Sequence, residues 1–187
     1  KDLWDTEARG TFPLGWTISP AMVDAAPGLL NWIYSTATEN DCLISGPSGM
    51  GYTYPNHWRD EQPLIDYLKR TESYCTQAGF RVVTIWGHSV GSATVEHVGN
   101  LYAKYVPSLL GITGQRTGGG WRIYDNTLPN IELTGSYCSE LYQVKEVIEN
   151  GAKEFDGTKP VFLAVQPVPW GISVEDLKGF AESLGEE

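Results

Sequence analysis

Six short runs of apolar, often β-branched residues recur along the chain, and amphipathic segments separate nearly all of them. This alternation constrains the fold most strongly, because strands that alternate with helices form parallel sheets with right-handed crossovers. We therefore predict an α/β domain with a mostly parallel sheet of about six strands, either open and doubly wound or an incomplete barrel. The predicted strands are residues 11–19, 41–45, 81–86, 109–113, 130–134 and 161–165.

The segments between the predicted strands carry the signals of helices. Ser173 and Asp176 have the spacing of a capping box, which predicts that the last helix begins just after Ser173. Ser19-Pro20 is typical of the start of the first helix, which Pro27-Gly28 then interrupts. Apolar residues at helical spacing predict further helices around residues 29–36, 62–75, 95–105 and 141–148.

Length and charge limit the classes of partner. A chain of 187 residues with a net charge of −10 is large enough for one domain, and its acidic surface disfavours nucleic acid and anionic membranes. The chain starts at Lys1 without a leader-like segment, so we expect a single domain, residues 1–187, excised from a longer protein. Three cysteines without C-x-x-C spacing indicate neither a disulfide framework nor a zinc site.

Aromatic and polar side chains concentrate in the loops that follow the predicted strands. Ligands of open α/β sheets and barrels bind at this carboxyl edge, and aromatic rings with polar rims suit the C–H faces and hydroxyls of sugars. These residues are Tyr52, Tyr54, His57, Trp58, His88, Gln115, Arg116, Trp121, Tyr137, Gln166 and Trp170, with Trp86 at a strand end.

The loop after the second predicted strand is the most distinctive of these. Gly49 and Gly51 allow close approach of the backbone, and Tyr52 and Tyr54 stand at alternate positions, so their side chains point the same way on an extended chain. Pro55 favours that extended conformation for Tyr54. The spacing matches neither glycine-rich phosphate-binding pattern, so we expect phenols displayed together rather than a phosphate site.

The segment Gly49-Met50-Gly51-Tyr52-Thr53-Tyr54-Pro55 matches G-x-G-Y-x-Y-P at every fixed position. The chain resembles the GxGYxYP family of putative glycoside hydrolases, in the C-terminal domain that this motif names. Gly15-Trp16-Thr17-Ile18-Ser19-Pro20 and Pro160-Val161-Phe162-Leu163 also resemble that family, and the similarity runs from about Phe12 to Leu184. The resemblance implies a secreted or cell-envelope bacterial protein that processes carbohydrate, and it carries over no catalytic residue.

A glycosidase needs two carboxyl groups on either side of the scissile bond. The predicted edge is poor in them, with Asp60, Asp125 and Glu140 in or beside loops and Glu132 inside a predicted strand. No pair is distinguished by its spacing. Either another domain completes the acid pair, or this domain binds sugar without cleaving it.

Gly87-His88-Ser89-Val90-Gly91 is a G-x-S-x-G between a predicted strand and a predicted helix, the setting of a nucleophile elbow. The only histidine after Ser89 is His97, eight residues further on, about 12 Å along a helix axis at the usual rise. Ser89 therefore lacks an evident base. The three histidines also lack metal-ligand spacing, although His57, His88 and Asp60 can converge from neighbouring loops, and we predict no metal and no cofactor.

Together these features predict a carbohydrate-binding or carbohydrate-processing domain of a glycoside hydrolase that holds a poly- or oligosaccharide at the carboxyl edge. Two alternatives stay open: a serine esterase that uses Ser89, and a non-catalytic structural domain of a larger enzyme. The catalytic candidates are His57, Asp60, His88 and Ser89. The predicted substrate-binding residues are Gly49, Gly51, Tyr52, Tyr54, His57, Trp58, Trp86, Gln115 and Trp170.

Overall fold

The computed structural model describes residues 3–86, 94–114, 120–135 and 137–184. Within these ranges six strands form one sheet in the order β1-β2-β3-β4-β6-β5, and every pair is parallel except β5 with β6. The predicted α/β class and mostly parallel sheet are confirmed, and the sheet is not closed into a barrel. The strands are β1 (Leu14–Ile18), β2 (Asp41–Ser45), β3 (Val82–Ile85), β4 (Gly111–Gly114), β5 (Trp121–Tyr124) and β6 (Leu128–Glu132).

The first four helices pack against one face of this sheet. Their apolar residues share a single core with Val83, Ile85 and Ile112 of the central strands. The order of the parallel strands advances across the sheet without the reversal that defines a doubly wound fold, as it does in one part of a barrel. The helices are α1 (Met22–Ala25), α2 (Pro27–Thr36), α3 (Glu61–Ala78) and α4 (Glu96–Tyr105).

The sixth predicted strand, residues 161–165, is wrong. That segment has no regular secondary structure. It meets the sheet end through hydrogen bonds from Thr134 N–H to the Ala164 carbonyl and from Ala164 N–H to the Thr134 hydroxyl, and a bridge between Cys138 and Pro167 follows it. Pro167 and Pro169 lack backbone N–H donors, which limits any ladder there. The strand that completes the set is β5, which includes Trp121, a residue expected in a loop.

A second, smaller apolar cluster lies beyond the sheet, around α5 (Leu141–Ala152) and α6 (Val174–Ser183). Cys138, Val144 and Phe180 are buried there. The predicted capping box is confirmed, because Ser173 caps α6 and exchanges hydrogen bonds with Asp176. In the part of the chain that the structure describes, no helix combines the length and hydropathy needed to cross a bilayer.

Candidate functional site

The loop with the glycine and tyrosine motif leaves the carboxyl end of β2 and is anchored by Ser48. This residue is fully buried and has a φ of 68°. Its N–H donates to the Thr84 carbonyl at 2.6 Å, and its hydroxyl donates to the Thr53 carbonyl at 2.8 Å and accepts from Trp86 N–H at 3.0 Å. Ser48 therefore ties both ends of the loop to the end of β3.

Two tyrosines support the same loop from the helix layer. The hydroxyls of Tyr102 and Tyr67 lie 2.6 Å and 3.0 Å from the Ser48 carbonyl oxygen, and Tyr67 also lies 2.6 Å from the Gly51 carbonyl oxygen. One hydroxyl proton serves one acceptor at a time, so Tyr67 can donate either to the Ser48 carbonyl or to the Gly51 carbonyl. Burial raises the pKa of Tyr67 to about 12 and that of Tyr102 well above its ordinary value. Both phenols thus remain neutral donors at physiological pH.

The two motif glycines have different surroundings. Gly49 adopts a φ of +127°, and a Cβ there would lie 2.6 Å from both Cγ2 and Oγ1 of Thr71. The Thr71 hydroxyl also accepts a hydrogen bond from Met50 N–H at 3.2 Å. A Cβ on Gly51 would meet nothing within 4 Å. Gly49 is therefore required by backbone conformation and by packing, whereas Gly51 faces open space.

Four aromatic side chains meet where this loop borders the end of β3. We call Tyr52, Tyr54, Trp86 and Tyr137 the aromatic cluster. The hydroxyls of Tyr52 and Tyr54 lie 3.0 Å apart, and their rings stand edge to face with centroids separated by 5.6 Å. Trp86 contacts Tyr52 at 4.9 Å and Tyr137 at 5.9 Å between ring centroids. The structure thus brings together three of the predicted substrate-binding residues and adds Tyr137, which lies in a loop predicted at this edge but is not among the predicted substrate-binding residues.

Tyr52 is the outermost member, with 59% of its surface exposed. Desolvation, the hydrogen bond with Tyr54 and the neighbouring Tyr54 and Tyr137 hydroxyls raise the pKa of Tyr52 to about 12. The ring is therefore neutral over the physiological range, and its hydroxyl can both donate and accept. The cluster offers a ring face and a phenolic hydroxyl to solvent at one place.

The other described candidates lie beneath or beside this surface. Trp58 is half-buried, donates from Nε1 to the Thr53 hydroxyl at 2.8 Å and packs on Tyr67 with ring centroids 5.6 Å apart, so it supports the loop from below. His57 is exposed at the end of a single 3₁₀ turn, Pro55–His57. Asp60 is exposed and immediately precedes α3.

Trp170 lines a different feature, a cleft of about 810 Å³. Its side chain is 84% exposed, and the facing wall is formed by Leu3, Asp5 and Thr6 near the start of the chain. The remaining wall is residues 171–176, which lead into α6. None of the residues that line this cleft belongs to the aromatic cluster, so the two are separate surfaces among the described residues.

Several predicted residues lie outside the described residues, namely His88, Ser89 and the rest of the G-x-S-x-G, together with Gln115 and Arg116. Glu132, at the carboxyl end of β6, is only 2% exposed and accepts a hydrogen bond from Asn130 Nδ2 at 2.8 Å. His97 pairs with Glu61 at 2.6 Å. Among the side chains that the structure places, no three of His, Cys, Asp and Glu are grouped to hold a metal ion.

Comparison with known proteins agrees with this architecture. A crystal structure of a putative hydrolase from Bacteroides thetaiotaomicron VPI-5482 is 27% identical and superimposes with a TM-score of 0.78 over 96% of this chain and 37% of that chain. The chain thus spans little more than a third of the length of that protein. None of the curated proteins has a significant match to the sequence. The model of the GxGYxYP putative glycoside hydrolase C-terminal domain matches residues 1–187, and the chain belongs to that family.

Proposed function

We propose that this chain is a carbohydrate-binding domain of a glycoside hydrolase, and that the aromatic cluster is its sugar-binding surface. The observation that supports this most directly is the pair of phenol hydroxyls 3.0 Å apart beside Trp86, with Tyr52 59% exposed. Family membership supports the carbohydrate class of the ligand. A secreted or cell-envelope location in a bacterium belongs to the same proposal.

The chemistry of the cluster suits a neutral sugar. An exposed ring stacks on the C–H face of a pyranose, while neutral phenol hydroxyls exchange hydrogen bonds with ring hydroxyls. The net charge of −10 disfavours polyanionic glycans. Gly51 leaves open space beside Tyr52, which lets a ligand approach the backbone. We also assign to exposed His57 a hydrogen bond to a sugar hydroxyl.

Trp170 provides a second carbohydrate contact in this proposal. A cleft of about 810 Å³ falls within the usual range of ligand sites, and the exposed indole can stack on a sugar ring. A single ligand that contacts both Trp170 and the aromatic cluster has to be an oligosaccharide, because no residue of the cluster lines the cleft.

We assign bond cleavage to the enzyme as a whole rather than to this domain by itself. Hydrolysis needs two carboxyl groups that flank the bond at about 5–10 Å from each other. Glu132 is buried against Asn130 and does not present its carboxylate to a ligand, and Asp60 is an exposed residue at the start of α3. Binding is therefore the activity that the described residues support best.

The test is Tyr52→Ala, with Tyr142→Ala as the matched control, since Tyr142 is 63% exposed on α5. Neutral glycans would first be screened on an array, and the best oligosaccharide titrated by calorimetry. We expect Tyr52→Ala to weaken binding about tenfold or more, which corresponds to about 1.4 kcal/mol, while the control binds normally. Equal affinity of both variants, with unchanged melting temperatures, would contradict the proposal.

A fluorophosphonate probe separates the serine-esterase alternative. Labelling of Ser89 that stops on heat denaturation supports an esterase, and absence of labelling removes that alternative. If the unaltered chain binds no glycan on the array, and the two tyrosine variants bind none either, the structural-domain alternative is favoured.

A further inference from the structure

The face of the sheet opposite α1–α4 carries no charged residue at any described strand position. Strand residues alternate between faces, so the positions out of step with the core residues Val83, Ile85 and Ile112 belong to this second face. The paired registers extend the assignment across the sheet. We call it the open face; it consists of Gly15, Thr17, Cys42, Ile44, Val82, Thr84, Gly111, Thr113, Trp121, Ile123, Pro129 and Ile131.

Side-chain contacts agree with this assignment. A Cβ on Gly46, which directly follows β2, would lie 2.7 Å from Thr17 Cγ2 and 3.7 Å from Thr84 Cβ. The hydroxyls of Thr84 and Thr113 are hydrogen-bonded at 2.8 Å. These small side chains therefore line one surface next to Gly46, at the start of the loop that follows β2.

Much of the open face is accessible to solvent. Trp121 and Ile123 on the edge strand are 70% and 54% exposed, and Thr17 and Cys42 are also exposed, although Thr84 is buried. Sheets of parallel strands are normally covered on both faces, whereas a solvated sheet face is normally polar. In a chain with 19% charged residues, an uncharged face of this size is typical of an interface.

We propose that the open face docks an apolar, uncharged surface of another domain in the same, longer polypeptide. The structural neighbour supports this occupant, because the present chain matches only 37% of that protein and the rest of such a polypeptide is ample to cover the face. The family description as a C-terminal domain also indicates a companion domain. The advancing strand order favours the same role, since the inner face of a barrel-like sheet is normally packed with side chains and not left to solvent. This inference does not depend on the proposed carbohydrate function.

Cys42 provides a natural reporter, because it is exposed on the open face while Cys75 and Cys138 are buried. The experiment uses the polypeptide made from the complete natural gene, labelled with a maleimide under native conditions and analysed by peptide mass spectrometry. Ser73→Cys, on the exposed side of α3, supplies the reference rate. We expect Cys42 to react at least tenfold more slowly than Cys introduced at residue 73, and equal rates would overturn the proposal.

A charge placed on the open face gives a second readout. In the same polypeptide we expect Thr17→Arg to lower the melting temperature by about 4 °C or more, and Thr76→Arg, on exposed α3, to leave it unchanged. A silent Thr17→Arg overturns the proposal. Protection of Cys42 that disappears on dilution, with a dimer in light scattering, overturns it in favour of a second copy as the occupant.

Discussion

The two halves of the motif loop differ in how the structure holds them. Ser48 and Gly49 are buried, and the tyrosines of α3 and α4 bind the Ser48 carbonyl from within the core. Tyr52 and Tyr54, only a few residues further on, meet each other and Trp86 at the surface. The first half therefore determines the path of the backbone, and the second half presents side chains.

This difference teaches how a short motif supports recognition. Binding groups keep their geometry when rigid neighbours fix the backbone that carries them. Here the supporting groups, Tyr67, Thr71 and Tyr102, come from helices that lie outside the motif. Substitutions in the buried half should thus change stability, and substitutions in the exposed half should change binding.

The largest effect on stability is expected for Gly49→Ala. The new Cβ would stand 2.6 Å from Thr71 at a φ of +127°, so we expect a loss of about 2–4 kcal/mol in the free energy of unfolding. Gly51→Ala, with open space around the new Cβ, should change it by less than about 0.5 kcal/mol. Urea denaturation measures both, and similar values for the two variants would refute the distinction between the halves.

Tyr102→Phe should have the next largest effect. It removes a hydrogen bond of 2.6 Å to the Ser48 carbonyl in a fully buried place, and the carbonyl keeps its contact with Tyr67. We expect a loss of about 1–2 kcal/mol in the free energy of unfolding. Tyr142→Phe, an exposed control, should be neutral, and a neutral Tyr102→Phe would show that the loop does not need this bond.

Alkaline pH should weaken the buried half through Tyr67. Its folded pKa, raised to about 12, lies above the ordinary value of 10.0, so its contribution is complete below pH 10 and is lost as the pH rises toward 12. One such group lowers the free energy of unfolding by about 1.4 kcal/mol per pH unit in that window. Tyr67→Phe should make the decline less steep than in Tyr142→Phe, as measured by urea denaturation between pH 9 and pH 11.

The smallest effect on stability is expected for Tyr54→Phe, in the exposed half. Loss of the hydroxyl contact at 3.0 Å should change the free energy of unfolding by less than about 0.5 kcal/mol. The pKa of Tyr52 should fall from about 12, because Tyr54 contributes both a hydrogen bond and a coulombic effect. Ultraviolet titration measures this pKa, with Tyr52→Phe to assign the transition, and an unchanged value would contradict the contribution of Tyr54 beside that of desolvation.

Much of the fold could be predicted from local patterns. The predicted and observed bounds of β2 are the same, because a short apolar run defines this strand. The capping box at Ser173 likewise predicts the start of α6. The strand β5 could not be found in this way, because its four residues follow a glycine-rich stretch and depend on pairing with β6. The apolar run at residues 161–165 suggests a strand for a different reason, because it packs near a helix and not within a sheet. Leu163 packs against Gly151 of α5, and the segment has no regular secondary structure.

The candidate site was predictable only in part. Alternation placed Tyr52 and Tyr54 on one side, and the carboxyl-edge rule placed Trp86 near them. The support of the loop by Tyr67 and Tyr102 could not be predicted, because both read as ordinary apolar positions of amphipathic helices. Trp58, a predicted substrate-binding residue, also supports the loop through Thr53 and Tyr67, and its position in the sequence does not reveal this second role.

The bonds of the Ser48 hydroxyl have a consequence for protein engineering. This hydroxyl joins Thr53 to the N–H of Trp86, and so connects the heptapeptide to a strand some thirty residues later in the chain. Transplanting the seven motif residues onto a foreign scaffold would leave behind the serine, the second strand and both helical phenols. The transferable unit is therefore the loop together with β2, α3, β3 and α4, a fragment nearly the size of a small domain.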